Sequence, residues 1–584
     1  MKSFFSFRYL FLVILFYSCS PSKIKVDFIV KNGKIYTVDS LFTISQAFAV
    51  KDGKIISIGT NIEILNGFDA NKIVDAEGKF VYPGFIDAHC HFYNYGLGLQ
   101  EVNLIGTKSF DEVLNKLNEF GNHHPKKSDR SREDWIIGRG WDQNDWEIKQ
   151  FPDRKKLDEL FPDRPVLLKR IDGHAALANS YALKLAGVNS SIKILGGSIE
   201  NNIDKSDTVD WNRNLLSKEN QKMKIPFWSP TGILIDNAVE IVERIVPDYS
   251  LKEKSNALLN AQQDCFRFGL TTIDDAGLQK QTIELIDSLQ KAERLKMRVY
   301  AMLSSSESNF DYYLKKGKYK TDQLNVCSFK FYADGALGSR GACMKNDYSD
   351  KHDWKGFLLQ QEIFFRKYAK LIFKAGFQMN THCIGDSSDK IIASIYREAL
   401  QSAGNKNDLL KKYRWRIEHA QVVSKEDLNF FKDIIPSVQP THATSDMYWA
   451  EDRLGSERIC ESYAYKSLMS QSGMLALGTD FPVEEISPFK TFYAAVFRKD
   501  AKGYPKGGFQ MQEALSRQDA IKGMTIWAAF SNFEEKEKGS IEKGKFADFI
   551  IVDTDLMNCA EKDILNAKAL KTFVNGEQVY SAAK

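Results

Sequence analysis

Residues 83–92 read PGFIDAHCHF and set two histidines, His89 and His91, two positions apart. In an extended strand such residues share one face and lie about 6.7 Å apart. Two imidazoles at that spacing can converge on one metal ion, but they also suit the wet face of a strand. The pair alone leaves both interpretations open, and the rest of the chain has to decide between them.

Other residues of the same chemistry stand at the ends of further apolar segments. The chain has nine histidines in 584 residues, and four of them belong to this set. Satisfied core histidines have no reason to cluster in this way, whereas imidazoles and carboxylates are the donors that zinc prefers. His123, His124 and His352 lie in polar segments and are expected to have no role. The set favours a metal centre and comprises His89, His91, Lys330, His382, His419 and Asp480.

The elements that position these residues alternate between strand and helix. Eight strand-like segments recur from residue 85 onward, and helix-like segments separate most of them from the second onward. Alternation at this spacing predicts parallel strands and a (β/α)₈ barrel, with its active site at the carboxyl ends of the strands. The segments read FIDAHCH, LTTIDDAG, RVYAML, VCSFKFYADG, FQMNTHCIGD, WRIEHAQ, PSVQPTH and LALGTDFP.

The first and second strands are separated by about 180 residues, which is far more than one crossover needs. We therefore expect a large insertion, about residues 92–265, within a barrel domain spanning 82–535. Residues 24–81 alternate short β-rich runs with Asn-Gly, Asp-Gly and Glu-Gly turns, and residues 536–584 repeat this pattern. These two ends predict one small β-sandwich domain built from both parts of the chain.

The first 23 residues differ from the rest. A basic start with Lys2 and Arg8 precedes an apolar stretch, residues 9–17, that is too short to span a bilayer. Cys19 directly after it resembles a bacterial lipobox and predicts a lipid-anchored protein of the cell envelope. An uncleaved anchor or a plain secretory signal are the alternatives, and all three place the body of the protein outside the cytoplasm.

Composition excludes some partners. The net charge is +4, from 80 basic and 76 acidic residues, which is too small for this length to indicate a nucleic-acid partner. The seven cysteines other than Cys19 are scattered and form no disulfide framework or CxxC motif. Cys90 and Cys383 adjoin candidate metal ligands, but their strand parity favours small buried packing residues.

The motifs PGFIDAHCH, FKFYADGALGSR, THCIGD, RIEHAQ, VQPTH and LGTDFPVEE, in this order, resemble the amidohydrolase superfamily. More narrowly, they resemble its YtcJ-like group, amidohydrolase family 3. The resemblance implies that His89, His91, Lys330, His382, His419 and Asp480 hold one or two divalent ions, with zinc expected first. Lys330 would have to be carboxylated to bridge two ions, and the alternative for it is a salt bridge with Asp334.

The resemblance also implies a reaction. A metal-activated water would attack the scissile carbonyl, and Asp480 would take the proton of the water and pass it to the leaving nitrogen. We therefore expect hydrolysis of a small-molecule amide, N-acyl or N-formyl compound. The alternatives are a cyclic amide, a carbamate or an ester at the same centre, or a surface lipoprotein that binds small ligands without turnover.

Weaker candidates surround this centre as substrate-binding residues. Those in the insertion could equally form a turn with a packed tryptophan, and the arginine could equally be structural. The family often has histidine where Asp274 stands, which puts any role borrowed for that position in doubt. The candidates are Trp141, Asp142, His174, Arg340, Gln439 and His442.

Overall fold

The structure of the protein is a computed structural model. It describes residues 23–124, 132–189, 192–204, 227–401 and 409–583. Cys19 and nearly all of the predicted export signal lie outside the described residues, so the lipid anchor stays a prediction. Within the described ranges, no helix combines the length and the apolar character needed to cross a bilayer.

Eight parallel strands form a nearly closed barrel, which confirms the predicted TIM-like α/β fold. Each strand pairs with the next in sequence order. Beyond the last strand, the Asp480 N–H donates to the His89 carbonyl and the His91 N–H donates to the Phe481 carbonyl, both at 2.8 Å, which joins the two edges. The strands are β1 (Phe85–Cys90), β2 (Leu270–Leu278), β3 (Arg298–Ser304), β4 (Leu324–Tyr332), β5 (Gln378–Cys383), β6 (Arg416–His419), β7 (Ile435–Val438) and β8 (Ala476–Leu477).

Helices cover the outside of the barrel. Helix Glu362–Ala375 buries Phe365, Ala369 and Ile372, which lie about one turn apart and form one apolar stripe. It ends at Gly376, whose φ of 73° suits a left-handed C-cap. The other helices from residue 251 onward are Leu251–Arg267, Lys280–Lys291, Glu307–Lys316, Asp386–Gln401, Leu409–Tyr413, Pro440–Asp446, Ala450–Arg458, Tyr465–Ser472, Pro488–Phe497, Arg517–Gly523, Ile526–Ser531 and Glu561–Ile564.

Between β1 and β2 the chain forms a second sheet with its own core. Buried residues such as Leu168 and Ile233 pack on one of its faces. Its strands, in spatial order, are Gly197–Asp204, Phe227–Asp236, Ala175–Ala178, Val166–Arg170, Ile136–Trp141 and Val102–Asn103. Helices Phe92–Gly98, Phe110–His123, Lys155–Leu160, Ser180–Leu185 and Val239–Glu243 accompany it. The turns of this sheet reach the carboxyl ends of the barrel strands.

Strands from both ends of the described chain make two further sheets. Phe549 and Phe573 stack at 4.3 Å and belong to the same apolar core as Phe28 and Phe48 of the other sheet. One sheet has the order Lys54–Gly59, Ala47–Lys51, Ile24–Lys31, Phe68–Asp75. The other has the order Glu577–Ser581, Ala569–Val574, Phe549–Val552, Phe80–Pro83, Lys34–Tyr36, Ile44–Ser45. Helix Asn61–Gly67 begins with a capping box formed by Thr60 and Glu63.

Candidate metal centre

A cavity of about 580 Å³ opens at the carboxyl ends of the barrel strands. Its floor holds His91 after β1, His382 of β5, His419 of β6 and Asp480 after β8. These strand ends meet at one edge because all eight strands are parallel, and this edge is where barrel enzymes place their chemistry. The predicted residues thus reach one site from strands that are far apart in sequence.

Ligand atoms converge on the floor of this cavity. His89, His419 and Asp480 each offer one donor atom, and these atoms all lie within 4.8 Å of one another. Asp480 Oδ1 lies 3.2 Å from His91 Nε2 and 3.7 Å from His89 Nε2. His89 of β1 and His91 directly after it therefore face a carboxylate from the segment after β8.

The other two predicted members join the same group. Lys330 Nζ lies 3.2 Å from His89 Nε2, and the ring centroids of His382 and His419 are 4.5 Å apart. The alternative pairing of Lys330 with Asp334 is not what the structure shows. Asp334 instead accepts hydrogen bonds from the backbone N–H groups of Cys343, Ile384 and Gly385, and so joins the loops after β4 and β5.

The donor set fits a divalent metal ion. His382 Nε2 is buried and has no hydrogen-bond partner among the described residues, a costly state for a buried polar atom. It belongs to a group of imidazoles and one carboxylate, which is the ligand chemistry of catalytic zinc. A bound ion would satisfy His382 and the neighbouring donor atoms together.

Protonation states agree with this assignment. Burial and the charge of Lys330 lower the pKa of His89 to about 4, and burial lowers the pKa values of His382 and His419 well below the usual range. Neutral imidazoles are the form that binds metals. Burial opposes ionisation of Asp480, but the contact with His91 Nε2 holds its pKa well below its usual value.

Glu418 is the functional residue that sequence reasoning missed. Its Oε2 accepts a hydrogen bond from His89 Nδ1 at 2.5 Å, which makes Nε2 the unprotonated nitrogen of that ring, the form that can bind a metal. Glu418 directly precedes His419, so simple strand alternation sends the two side chains to opposite faces. His419 has a φ of 73°, and this turn of the backbone brings its side chain to the same centre as that of Glu418.

We expect Glu418→Gln to weaken metal binding by about 10- to 100-fold, because the amide cannot hold the His89 ring as the carboxylate does. Competition of the purified variant with a metal-sensitive dye measures this decrease in affinity. Glu398→Gln, at a largely exposed position that pairs with Arg366, is the matched control. Equal metal affinity in the two variants would contradict the orienting role of Glu418.

Asp274, where the family often has histidine, also has a place in this network. Arg416 is fully buried and lies 2.7 Å from Glu418 Oε1 and 3.0 Å from Asp274 Oδ2. Asn532 Nδ2 donates to the other oxygen of Asp274 at 2.7 Å. The role of Asp274 in the described structure is thus to balance Arg416, which in turn holds Glu418.

Four of the predicted substrate-binding residues lie at or next to the cavity. Asp142 and His174 from the insertion and His442 after β7 line it. His174 Nδ1 bonds Asp236 at 2.7 Å, and its ring lies 5.0 Å from that of His382. Gln439 is almost fully buried, and its Oε1 lies 2.8 Å from His419 Nδ1, so it orients a candidate ligand.

Two predicted substrate contacts are corrected by the structure. Trp141 is 1% exposed and packs in the core of the insertion, where its Nε1 donates to the Leu168 carbonyl. Arg340 forms a bidentate ion pair with Asp350, in which its Nη2 and Nε lie 2.7 and 3.0 Å from the two carboxylate oxygens, and it is not part of the cavity lining. These two positions therefore hold a packed tryptophan and a structural arginine. Cys90 and Cys383 are likewise buried in the barrel core.

Comparison with known proteins agrees with the motifs. The sequence profile of the amidohydrolase family matches residues 72–197 and 223–580. The protein LONG AFTER FAR-RED 3 of Arabidopsis thaliana is 32% identical over 96% of this chain and 92% of its own length. The putative amidohydrolase YtcJ of Bacillus subtilis is 28% identical over 94% of this chain and 98% of its own.

Two further similarities bear on the site. The N-substituted formamide deformylase of Arthrobacter pascens is 24% identical over 94% of this chain and 97% of its own length. An uncharacterized metal-dependent hydrolase from Pyrococcus horikoshii has a solved structure that is 25% identical, covers 91% of this chain and 99% of its own, and superposes with a TM-score of 0.69. The family inferred from the motifs is confirmed: the chain belongs to the amidohydrolase family.

Proposed function

We propose that the protein is a metal-dependent hydrolase that cleaves a non-peptide carbon–nitrogen bond in an N-acyl or N-formyl compound. The observation that carries this proposal is the Asp480 carboxylate, which lies against the histidine cluster on the floor of an open cavity. A protein that only bound ligands would have no need for a proton acceptor there. The similarity to a formamide deformylase over 94% of the chain supports the substrate class.

The metal would be held by His89, His91, His382, His419 and Asp480. A divalent ion, when bound, polarises the scissile carbonyl and brings the pKa of water towards about 7. Glu418 and Gln439 keep the rings of His89 and His419 oriented for this role. The neutral state of the buried histidines leaves their ring nitrogens available as ligands.

Asp480 performs the proton transfers. Its low pKa keeps the carboxylate ionised at neutral pH, so that it takes one proton from the attacking water. It then gives that proton to the nitrogen of the breaking C–N bond, and the amine leaves while the acyl group becomes a carboxylic acid. His442 Nε2, 3.6 Å from Asp480 Oδ2, faces the cavity and is placed to contact the amide during these steps.

Lys330 decides how many ions the centre holds. Burial lowers the pKa of its amine to about 8, and a neutral amine is the form that CO₂ carboxylates. We expect elemental analysis of a soluble form without residues 1–23 to find one to two divalent ions per chain. Two ions, falling to one in Lys330→Met, would support a carboxylated Lys330. A chain that binds none after purification with zinc or manganese would contradict the metal centre.

The substrate class is tested by amine release from a panel of compounds. N-formyl and N-acetyl amines are expected to be hydrolysed by the zinc-loaded protein, and chelation should abolish that turnover. Hydrolysis of only the cyclic amides, carbamates or esters in the panel would retain the centre but replace the proposed substrate. Binding without turnover by a metal-loaded protein would favour the binding-protein alternative.

A further inference from the structure

The wall of the cavity beyond His442 is acidic. Seven carboxylates line the cavity, against two guanidinium groups. Asp446 follows His442 by four residues on helix Pro440–Asp446, so the two share one face of that helix. Glu484 follows Asp480 by four residues, and Ser445 Oγ donates to its Oε1 at 2.6 Å, which ties both segments together. Asp446 and Glu484 therefore line the same side of the cavity, near the segments that carry His442 and Asp480.

These two carboxyl groups have no basic partner. Among the described residues, neither forms an ion pair within 4.0 Å. Asp446 accepts from the Tyr463 hydroxyl at 2.8 Å and from Gln421 Nε2 at 3.2 Å, and Glu484 accepts from the neutral Ser445 hydroxyl. Desolvation by the cavity walls raises the pKa of Glu484 to about 8 and that of Asp446 to about 7. A cation is the group that they lack.

Most other acids of the cavity have a basic partner, and Asp145 is exposed to water. Asp142 and Asp172 both pair with Arg170, so that this guanidinium is not free to neutralise Asp446. Glu485 is exposed and lies 2.5 Å from Lys490 Nζ. Asp446 and Glu484, on the side of the cavity formed after β7 and β8, are thus the half-buried acids of the lining that form no ion pair with a basic residue in the described part of the chain.

His442 independently marks the same place as a ligand site. It is 9% exposed, lines the cavity, and its Nε2 has no hydrogen-bond partner among the described residues. This nitrogen lies 3.6 Å from Asp480 Oδ2. Asp446 lies one helical turn after His442, and residues at that spacing have Cβ atoms about 5–6 Å apart. A molecule in contact with His442 would extend from the proton-transfer residue to the two unpaired carboxyl groups.

We propose that the substrate is an N-acyl compound that carries a second, cationic amine, which Glu484 and Asp446 bind while the amide lies beside Asp480 and His442. This inference rests on the proposed hydrolase function. The ammonium group donates to both carboxyl groups and compensates their charge. A spacer of about one helical turn separates it from the scissile amide. A neutral amide of the same length leaves the negative charge of Glu484 and Asp446 without a counter-charge, and it therefore binds less tightly.

The test compares N-formylputrescine with N-formylpentylamine, which has a methyl group in place of the ammonium. We expect the zinc-loaded wild-type protein to prefer the charged amide by about 10- to 100-fold in kcat/KM. Glu484→Gln and Asp446→Asn should each bring this ratio towards one, chiefly through KM. Glu485→Gln, at the neighbouring position that pairs with Lys490, should keep the preference.

The same pair of amides separates failure of the subsite from failure of the hydrolase function. Their binding to Asp480→Asn, which lacks the proton acceptor, is measured by calorimetry, and Asp480→Asn/Glu484→Gln is the comparison. The wild type could fail to hydrolyse either amide while Asp480→Asn binds the charged amide more tightly than the neutral one. If Asp480→Asn/Glu484→Gln then loses this difference in binding, the cation site is supported and the hydrolase function is contradicted. Equal hydrolysis of the two amides, or equal binding, would overturn the cation site.

Discussion

Asp480→Asn is expected to lower kcat on an N-formyl amine by about 100- to 10,000-fold, because asparagine has nearly the same shape but cannot accept the proton of water. The carboxylate lies 3.2 Å from His91 Nε2, and that contact holds it in its ionised form. Steady-state kinetics of the metal-loaded variant measures the decrease. Metal content is determined on the same sample, because Asp480 is also a candidate ligand.

Asp311→Asn is the matched control for this substitution. Asp311 is exposed on helix Glu307–Lys316, outside the barrel and away from the cavity lining. It should retain wild-type kinetics, and both variants should unfold at temperatures close to that of the wild type. Unchanged substrate consumption by Asp480→Asn would remove the proposed proton-transfer role and, with it, the main argument for an enzyme.

Arg416→Met is expected to cost about 3–5 kcal/mol in the free energy of unfolding, because it leaves two buried carboxylates without their cation. Arg416, Glu418 and Asp274 are all fully buried. The guanidinium lies 2.7 Å from Glu418 and 3.0 Å from Asp274, and bulk water cannot reach these carboxylates to replace it. Denaturant unfolding of the metal-free proteins measures the effect on stability.

The deficit in Arg416→Met should widen as the pH rises. With the guanidinium present, Arg416 holds the pKa of Glu418 well below its usual value, whereas burial already raises that of Asp274 to about 7. Without it, burial raises both pKa values in the folded state above those found in the wild type and in the unfolded chain. The folded state then binds more protons than the unfolded state between those values, and stability falls as the pH increases through them. The triple variant Arg416→Met/Glu418→Gln/Asp274→Asn should recover part of the stability, because it removes the uncompensated charges. An Arg416→Met variant whose free energy of unfolding lies within about 1 kcal/mol of the wild-type value would contradict the stabilising role of this ion-pair network.

The sequence by itself determined the scaffold and the strand-end residues. Alternating strands and helices predict a parallel barrel from local patterns alone, and parallel strands bring their carboxyl ends to one edge. His89, His91, Lys330, His382, His419 and Asp480 follow from their positions at those ends, and the structure brings all six together. Strand parity also separated His89 and His91 from Cys90, which lies in the packed core.

Only the tertiary structure decided which residues support the centre. Glu418 shares the inward face of β6 with Arg416 and so reaches His89, while the backbone turn at His419 brings the next side chain to the same centre, and a local strand pattern contains no sign of that turn. Trp141 and Arg340 looked like site residues by motif, but their partners Leu168 and Asp350 draw them into other contacts. The acidic wall at Asp446 and Glu484 exists because the segments after β7 and β8 are neighbours across the barrel mouth. Periodicity reports the face of one element, whereas these contacts depend on pairing between elements that are distant in sequence.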